Sequence, residues 1–231
     1  MSKCPFSSFK SKSSVHSADS KKRTIQYKRL TESHFLNTQK VEGLFGPGSM
    51  HWKIYGCPAV VLGAYSALLL QIANPAVADG VAKFSQFSRD YLGRAERTLT
   101  SMIKIYFGDQ KTALHSGMKL HGIHNMVRGK ICIMKEGRLQ QEEYCANDYP
   151  HLCWVLSTLV FTSLQVYELI NGVLEEQQRE QFFEESKLVA TVMGIPPSAY
   201  PDNYTAFKVY FNEMIHRDYL RVDETTKSLA K

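Results

Sequence analysis

The sequence has few cysteines, and none stands in the spacing of a metal cluster or a disulfide framework. No two of them are separated by two residues, as zinc clusters and redox motifs require, and their number is odd: Cys4, Cys57, Cys132, Cys145 and Cys153. Free cysteines of this kind are most often buried side chains. We therefore expect no disulfide scaffold and no structural zinc, and a reducing compartment, which predicts a cytoplasmic protein.

The sequence also lacks an uninterrupted apolar segment long enough to cross a bilayer. The longest apolar run, residues 57–78, approaches the roughly 20 residues that a spanning helix needs. However, Gln71, Asn74 and Pro75 interrupt its second half. The first residues contain no uncharged apolar region of the kind found in signal peptides. We predict a core helix that ends near Pro75, and no signal peptide or transmembrane segment.

The body of the chain lacks net charge. The whole sequence has a formal net charge of +6, but residues 1–24 hold six basic residues and one acid. Residues 25–231 are left with 22 basic and 21 acidic side chains, a net charge of +1. Such a body has no field that would steer it to nucleic acid, so we predict no nucleic-acid partner. The basic, serine-rich start predicts a flexible tail.

Helical signals are abundant in the rest of the sequence. Apolar residues recur at helical spacing in about seven segments separated by glycine and proline. Alternation of the strand type is confined to residues 130–147, which we interpret as a long loop or a small hairpin. The pattern predicts a single-domain, all-α bundle of about seven helices. The predicted boundaries are a flexible tail over 1–32, a helical domain over 33–218 and a loose end over 219–231.

The stretch from Arg94 to Gly129 gathers the polar residues best suited to chemistry. It reads as two helices interrupted at residues 108–109. On the second helix, His121 and His124 share a face. On the first, four polar residues share a face because they stand at positions i, i+3, i+4 and i+7: Arg94, Arg97, Thr98 and Ser101. A cationic face beside a histidine face predicts a functional site.

Three interpretations of these histidines remain open from the residues alone. The first is a helical interaction domain whose histidines are ordinary core or surface residues. The second is a carboxylate-bridged di-iron bundle, which needs two Glu-x-x-His pairs and two further glutamates. The chain offers Glu213 with His216, and the weaker pair Asp148 with His151. The third is a haem pocket, with one neutral imidazole on the iron and hydrogen-bond donors opposite.

Several short motifs occur in order over roughly residues 40–217. They are LLLQIANPAVA (68–78), SQF (85–87), RAERT (94–98), FG (107–108), HNMVRG (124–129), YCAND (144–148), WV (154–155) and GIP (194–196). In this order they resemble the family of the rubber oxygenases (latex-clearing proteins) and the mycophenolic-acid-pathway oxygenases, formerly a domain of unknown function.

The resemblance implies an all-α fold that holds haem b in a buried pocket and uses O2 on apolar or amphiphilic organic substrates. The family's proximal-histidine pattern H-x-x-V-x-G falls on His124, and His121, one turn earlier, is the runner-up iron ligand. The family's distal pattern R-x-x-[KR]-T falls on Arg94, Arg97 and Thr98. These three would contact the haem side that binds oxygen and serve as catalytic residues.

The sequence departs from the family at three positions. Arg97 stands where the latex-clearing branch has a lysine, and a guanidinium cannot ligate iron, which favours an open sixth position. Phe84 and Leu156 stand where many members have histidine. We predict a haem-dependent oxygenase, and these departures leave the identity of its substrate open. The alternatives are a non-catalytic haem- or ligand-binding helical module and a di-iron oxidase.

Overall fold

The computed structural model describes residues 16–35, 43–84, 91–135, 138–216 and 220–230. These residues form ten α-helices, two short 3-10 helices (Pro58–Leu62 and Pro197–Ala199) and one two-stranded sheet. In chain order the α-helices and strands are α1 (His16–Phe35), α2 (Met50–Tyr55), α3 (Gly63–Ile72), α4 (Pro75–Phe84), α5 (Tyr91–Phe107), α6 (Gln110–Met126), β1 (Arg128–Lys135), β2 (Arg138–Cys145), α7 (Tyr149–Asn171), α8 (Glu176–Val192), α9 (Tyr204–His216) and α10 (Glu224–Leu229).

The predicted fold class is confirmed, because the described residues are predominantly helical. There are ten helices among them rather than about seven. Two of the additional helices, α2 and α10, have six residues each, which is too short to show a helical period. The third, α1, crosses the predicted boundary between tail and domain. The domain boundaries stay a prediction, and the SQF motif at 85–87 lies outside the described residues.

Three buried side chains attach α1 to the body. Tyr27, Thr31 and Phe35 stand four residues apart, so they lie on one helix face, and all three are buried. The Tyr27 hydroxyl donates a hydrogen bond to the carbonyl of Val192 at the end of α8 (2.9 Å). Just beyond, Gly194 has a φ of +87°, and a Cβ there would lie 2.8 Å from the Tyr27 ring. Glycine is therefore required where α1 crosses α8.

The break between α3 and α4 is set by Asn74 and Pro75. The Asn74 side-chain oxygen accepts hydrogen bonds from the backbone N–H groups of Ala76 (3.0 Å) and Val77 (3.3 Å), which caps α4. Pro75 occupies the first turn of α4, where its missing N–H costs nothing. The segment Pro58–Ile72 and α4 meet at a bend of 105°. Asn74 thus has a structural role, as expected beside a helix-starting proline.

Helix α7 is the central element of the hydrophobic core. Trp154 and the α8 residues Phe182 and Phe183 are among the largest fully buried side chains. By length and composition α7 is the one helix among those described that could cross a membrane, but 56% of the relevant window is buried inside the fold. The segment Pro58–Ile72 and α4 pass the same test only as a pair, bent as above. Such burial is typical of a core helix.

The region left open as a loop or a hairpin is a β-hairpin. Strands β1 and β2 pair antiparallel, from Arg128 opposite Cys145 to Lys135 opposite Arg138. The hairpin connects the end of α6 to the start of α7, and β1 packs against α4. Its paired ends therefore bring residues 144–148 next to the last turn of α6.

Candidate functional site

Helices α5 and α6 form a helical hairpin. They pack against each other and are joined by only two residues, so the start of α5 and the end of α6 lie at the same end of the pair. Asp109 caps α6 by accepting a hydrogen bond from the backbone N–H of Thr112 (2.6 Å). The predicted arginine face and the predicted histidine face consequently belong to one end of this hairpin, called here the open end (residues 91–100 and 119–126).

His121 lies inside the protein at this end. Its ring stacks on the ring of Tyr27, with centroids 4.4 Å apart and planes 20° from parallel. Both ring nitrogens are buried and have no hydrogen-bond partner among the described residues. Burial, followed by the positive charge of Arg23, lowers the pKa of His121 to about 4. The imidazole is therefore neutral at pH 7.

His124 is half-buried one turn later on α6. Its Nδ1 is buried and, within the described chain, meets no hydrogen-bond partner. Burial, and then the neighbouring His121, lower the pKa of His124 to about 4. The side chain of Asn147 acts to raise the pKa of His124. The Asn147 side-chain oxygen accepts no hydrogen bond within the described residues. His124 is thus a second neutral imidazole.

Residues at and just after the end of β2 hold the end of α6 in place. The Asn147 side-chain nitrogen donates a hydrogen bond to the carbonyl of His121 (2.9 Å), and the Cys145 thiol points to the carbonyl of His124 (3.7 Å). Both carbonyls lie near the end of α6, and that of His124 also accepts a hydrogen bond from the backbone N–H of Val127 (3.1 Å). The YCAND segment therefore fixes the backbone that carries the two histidines.

Asp148 links this segment to α1. Its carboxylate accepts a hydrogen bond from the backbone N–H of Cys145 (2.7 Å) and pairs with the guanidinium of Arg23. His151, one turn further on α7, has a buried Nδ1 without a partner in the described part of the chain, and burial lowers its pKa. Three histidine rings, each with a buried nitrogen that is unpaired within the described residues, thus flank the junction of α1, α6 and α7.

The predicted oxygen-side residues lie on α5. Arg97 and Thr98 are exposed, as are all residues from 95 to 100. Ser101, on the same predicted face, donates its hydroxyl to the carbonyl of Arg97 (2.9 Å). Arg94 lies on the same helix, and its side chain is outside what the structure describes. The roles of Arg94, Arg97 and Thr98 stay predictions.

The residues of the di-iron alternative do not form a recognisable metal centre. His216 is exposed, and its Nδ1 lies 2.8 Å from the carbonyl of Asn212. Glu213 is half-buried on the same helix. Among the described residues, no group of three or more His, Cys, Asp or Glu side chains is arranged to hold a metal ion. A haem iron needs a single protein ligand, so this finding does not bear on His124.

Two surface cavities lie elsewhere on the molecule. One of about 390 Å³ is lined by α10 residues and their neighbours, Val222, Glu224, Lys227, Ser228 and Ala230. The other, of about 160 Å³, lies between α1, α8 and the segment after it, and Tyr200 and Ile195 line it. Neither of these cavities includes His124.

A family model matches residues 52–231, described as the catalytic domain of the ER-bound oxygenases mpaB and B′ and the rubber oxygenase. The chain belongs to this family. The match covers more than three quarters of the sequence, and it includes α5, α6 and the β-hairpin, so the predicted family is confirmed. Neither the comparison with curated proteins nor that with solved structures gives a significant match.

The family match begins in α2, so α1 lies outside it. Yet α1 supplies Tyr27, which stacks on His121, and Arg23, which pairs with Asp148. Sequence reasoning missed both residues because it assigned most of α1 to a flexible tail. The available signal was the spacing of Tyr27, Thr31 and Phe35, which places three residues on one helix face. In this member of the oxygenase family, the catalytic-domain core is thus completed by a preceding helix.

Proposed function

We propose that the chain is a haem b-dependent oxygenase in which His124 is the proximal iron ligand. The single observation that carries the proposal is the state of His124 in a chain of an oxygenase family: a neutral imidazole with a buried ring nitrogen that has no hydrogen-bond partner among the described residues. Family membership supports an oxygenase. Haem, the ligand and the substrate are the parts that we add.

The donor chemistry of the open end fits a haem iron. An iron-bound histidine must be neutral to offer a lone pair, and the low pKa values of His121 and His124 meet that condition. An unpaired buried polar atom costs on the order of 1–3 kcal/mol, which a ligand bond would offset. His124 is preferred to His121 because it falls on the family's H-x-x-V-x-G pattern.

Haem b would supply an iron centre that binds O2 and carries the redox chemistry. The protein's own part would be performed by Arg94, Arg97 and Thr98 on α5. A guanidinium stays cationic and donates hydrogen bonds without accepting a proton, so the two arginines suit the stabilisation of negative charge. The Thr98 hydroxyl can both donate and accept, which suits the positioning of water.

An apolar or amphiphilic organic substrate fits the surroundings of this site. Leu99 on α5, and Ile123 and Met126 on α6, are all exposed. Apolar side chains of this size at one end of a helical hairpin offer contact area to an apolar molecule. We propose that such a substrate and O2 are the reactants.

The visible spectrum of the haem-loaded protein tests the ligand. We expect a Soret band that is lost in His124→Ala and kept in His121→Ala. His115→Ala, which alters an exposed histidine on α6, is the matched control. A Soret band that survives in His124→Ala but not in His121→Ala would transfer the role to the runner-up ligand. Iron without porphyrin would favour the di-iron alternative.

Oxygen consumption separates the enzyme from a non-catalytic haem-binding module. With apolar substrates and a reductant, the haem-loaded protein should consume O2, and Arg97→Ala should slow this by at least tenfold, since one donor to a developing charge is worth about 10²–10³ in rate. Haem binding without substrate-dependent O2 consumption would identify a binding module instead.

We also propose that the chain works in a reducing compartment, as a cytoplasmic protein. The described cysteines are free, and two of them, Cys145 and Cys153, are buried. Burial raises the pKa of the Cys153 thiol, which keeps it protonated and unreactive. Thiols in this state need no disulfide partner.

A further inference from the structure

The outer surface formed by α3, the 3-10 helix before it and the end of α7 is unusually apolar. Leu169 is 84% exposed, Val173 79% and Leu62 74%. We call the full set the α3–α7 face, and its members are Val61, Leu62, Tyr65, Leu69, Leu169, Ile170 and Val173.

The two segments that carry these side chains pack against each other. A Cβ on Gly63 would lie 3.1 Å from the carbonyl oxygen of Thr162, so α3 touches the backbone of α7. Asn171, at the end of α7, lies 3.7 Å from the sulfur of Cys57, whereas Trp154, near its start, bonds the carbonyl of Leu70 (3.1 Å). The two segments therefore run antiparallel, and Leu62 is at the same end as Leu169.

The α3–α7 face carries no free charge. Residues 56–74 contain no ionisable acid or base other than the Cys57 thiol and the Tyr65 hydroxyl. Residues 160–174 contain one charged side chain, Glu168, which is only 13% exposed and is paired with Arg179 (2.7 Å). Moving such a face out of water requires no desolvation of an unpaired ion.

We propose that the α3–α7 face docks on the apolar boundary of a lipid bilayer. Protein interfaces draw their binding energy mainly from Trp, Tyr and Arg, whereas Leu and Val are under-represented at their energetic centres. Here six of the seven side chains are Leu, Ile or Val, and the most exposed ones protrude at a helix end. Protruding aliphatic groups suit a fluid apolar phase better than a rigid partner, and Tyr65 suits its polar boundary.

The charges beside the face determine which lipids it suits. Glu175 and Glu176 follow the end of α7 and are exposed, and Glu176 is paired with Lys208 (3.2 Å), so this end of the face adds no unpaired positive charge that would attract anionic headgroups. Docking is therefore driven by apolar area, and it is insensitive to salt. The inference concerns where the chain is held, and it does not depend on haem or on the proposed reaction.

Flotation of the full chain with phosphatidylcholine vesicles in 0.5 M NaCl tests the inference. High salt suppresses binding through the basic residues 1–24. The parent chain should float with the vesicles, and Leu169→Glu/Val173→Glu should reduce the bound fraction at least about tenfold, because it removes two apolar contacts and adds two carboxylates that would have to leave water. Ile25→Glu, at an exposed apolar position on α1 outside the face, is the control and should bind as the parent does.

Three results would overturn the inference. The first is undiminished flotation of the double variant with native helical circular dichroism. The second is a parent chain that does not float and is monomeric by light scattering. The third is a parent chain that does not float and forms a dimer that Leu169→Glu/Val173→Glu dissociates, since the face would then bind a second copy. Leu62→Glu, at the other side of the face, repeats the test if the double variant does not fold.

Discussion

The core around α7 and the open end of the α5–α6 hairpin differ in how far the fold covers their side chains. Eleven residues of α7 are buried, and the single donor of the Trp154 ring is used by a backbone carbonyl. On α5, by contrast, every residue from 95 to 100 is exposed, including the apolar Leu99. Packing within the fold covers the side chains around α7 but leaves those at the open end exposed. Ligand sites are commonly formed in such incompletely packed regions.

Two buried histidines show the same difference at the scale of one side chain. Burial lowers the pKa of both His51 and His121. His51 stacks on Phe45 and has the carboxylate of Glu185 beside it, 3.5 Å from its Nδ1, although this nitrogen makes no hydrogen bond within the described residues. His121 faces the positive charge of Arg23 and leaves both ring nitrogens unpaired within the described residues. His51 is placed like a structural residue, and His121 with His124 like candidate ligands.

The largest expected effect is the loss of stability in Trp154→Ala. This change removes a fully buried ring that stacks on Phe211 and unpairs the carbonyl of Leu70. We expect the free energy of unfolding to fall by about 3–5 kcal/mol, measured by urea denaturation of the haem-free chain. Leu99→Ala at the open end should cost under about 1 kcal/mol. Equal losses in the two variants would contradict the contrast between the regions.

The second prediction concerns pH. The folded pKa of His121 and of His124 is about 4, against 6.5 for an ordinary histidine. The unfolded chain therefore binds more protons between pH 6.5 and pH 4, so stability is retained above pH 6.5 and falls as the pH drops through this range. Each histidine contributes at most about 3 kcal/mol to this loss.

The double variant His121→Phe/His124→Phe isolates this contribution. It should flatten the pH dependence of unfolding between pH 6.5 and pH 4, because phenylalanine keeps the stack on Tyr27 and takes up no proton. Carboxylate titrations are common to both proteins and cancel in the difference. His115→Phe, at an exposed position on α6, is the control. An unchanged slope in the double variant would show that the two imidazoles are accessible to water and protons in the folded state.

Much of the fold follows from local signals in the sequence. Pro75 and Gly172 set helix limits through their own backbone restrictions, so the predicted ends of α3, α4 and α7 lie within a few residues of those observed. The six-residue α2 and α10 have no period to read, and their formation depends on packing. In α1 only one face is buried. The charged residues on its other faces give the segment the overall composition of a flexible tail, so the buried face is not apparent from composition.

The candidate site, like the fold, follows only in part from local patterns in the sequence. The spacing of His121 and His124 on one helix is sufficient by itself to place them on a shared face. Their partners come from distant parts of the chain: Tyr27 and Arg23 from α1, and Asn147 from the end of the β-hairpin. No local pattern specifies such contacts, because they form only when three separate elements pack together. The low pKa values follow from that packing, so the sequence pattern does not predict them either.

The smallest expected effect concerns Tyr144, which lies close to the open end but is bonded elsewhere. Its hydroxyl donates a 2.6 Å hydrogen bond to Asp79 on α4, and Asp79 also pairs with Lys83 (2.8 Å). Burial, together with the Asp79 carboxylate, raises the pKa of Tyr144, so the hydroxyl stays protonated and donates. Tyr144→Phe should lower the free energy of unfolding by about 1.5–3 kcal/mol, the usual contribution of a hydrogen bond to a charged group.

The same variant should leave haem affinity unchanged, which distinguishes a structural tie from a ligand-binding role. Asp79→Asn, which removes the charge from the other partner, should weaken the same contact and serves as the matched comparison. A loss of haem binding in Tyr144→Phe at unchanged stability would extend the site across the β-hairpin to α4. A loss of stability alone would place the limit of the site between Tyr144 and Asn147. Tyr144 contacts α4, whereas Asn147 contacts the end of α6.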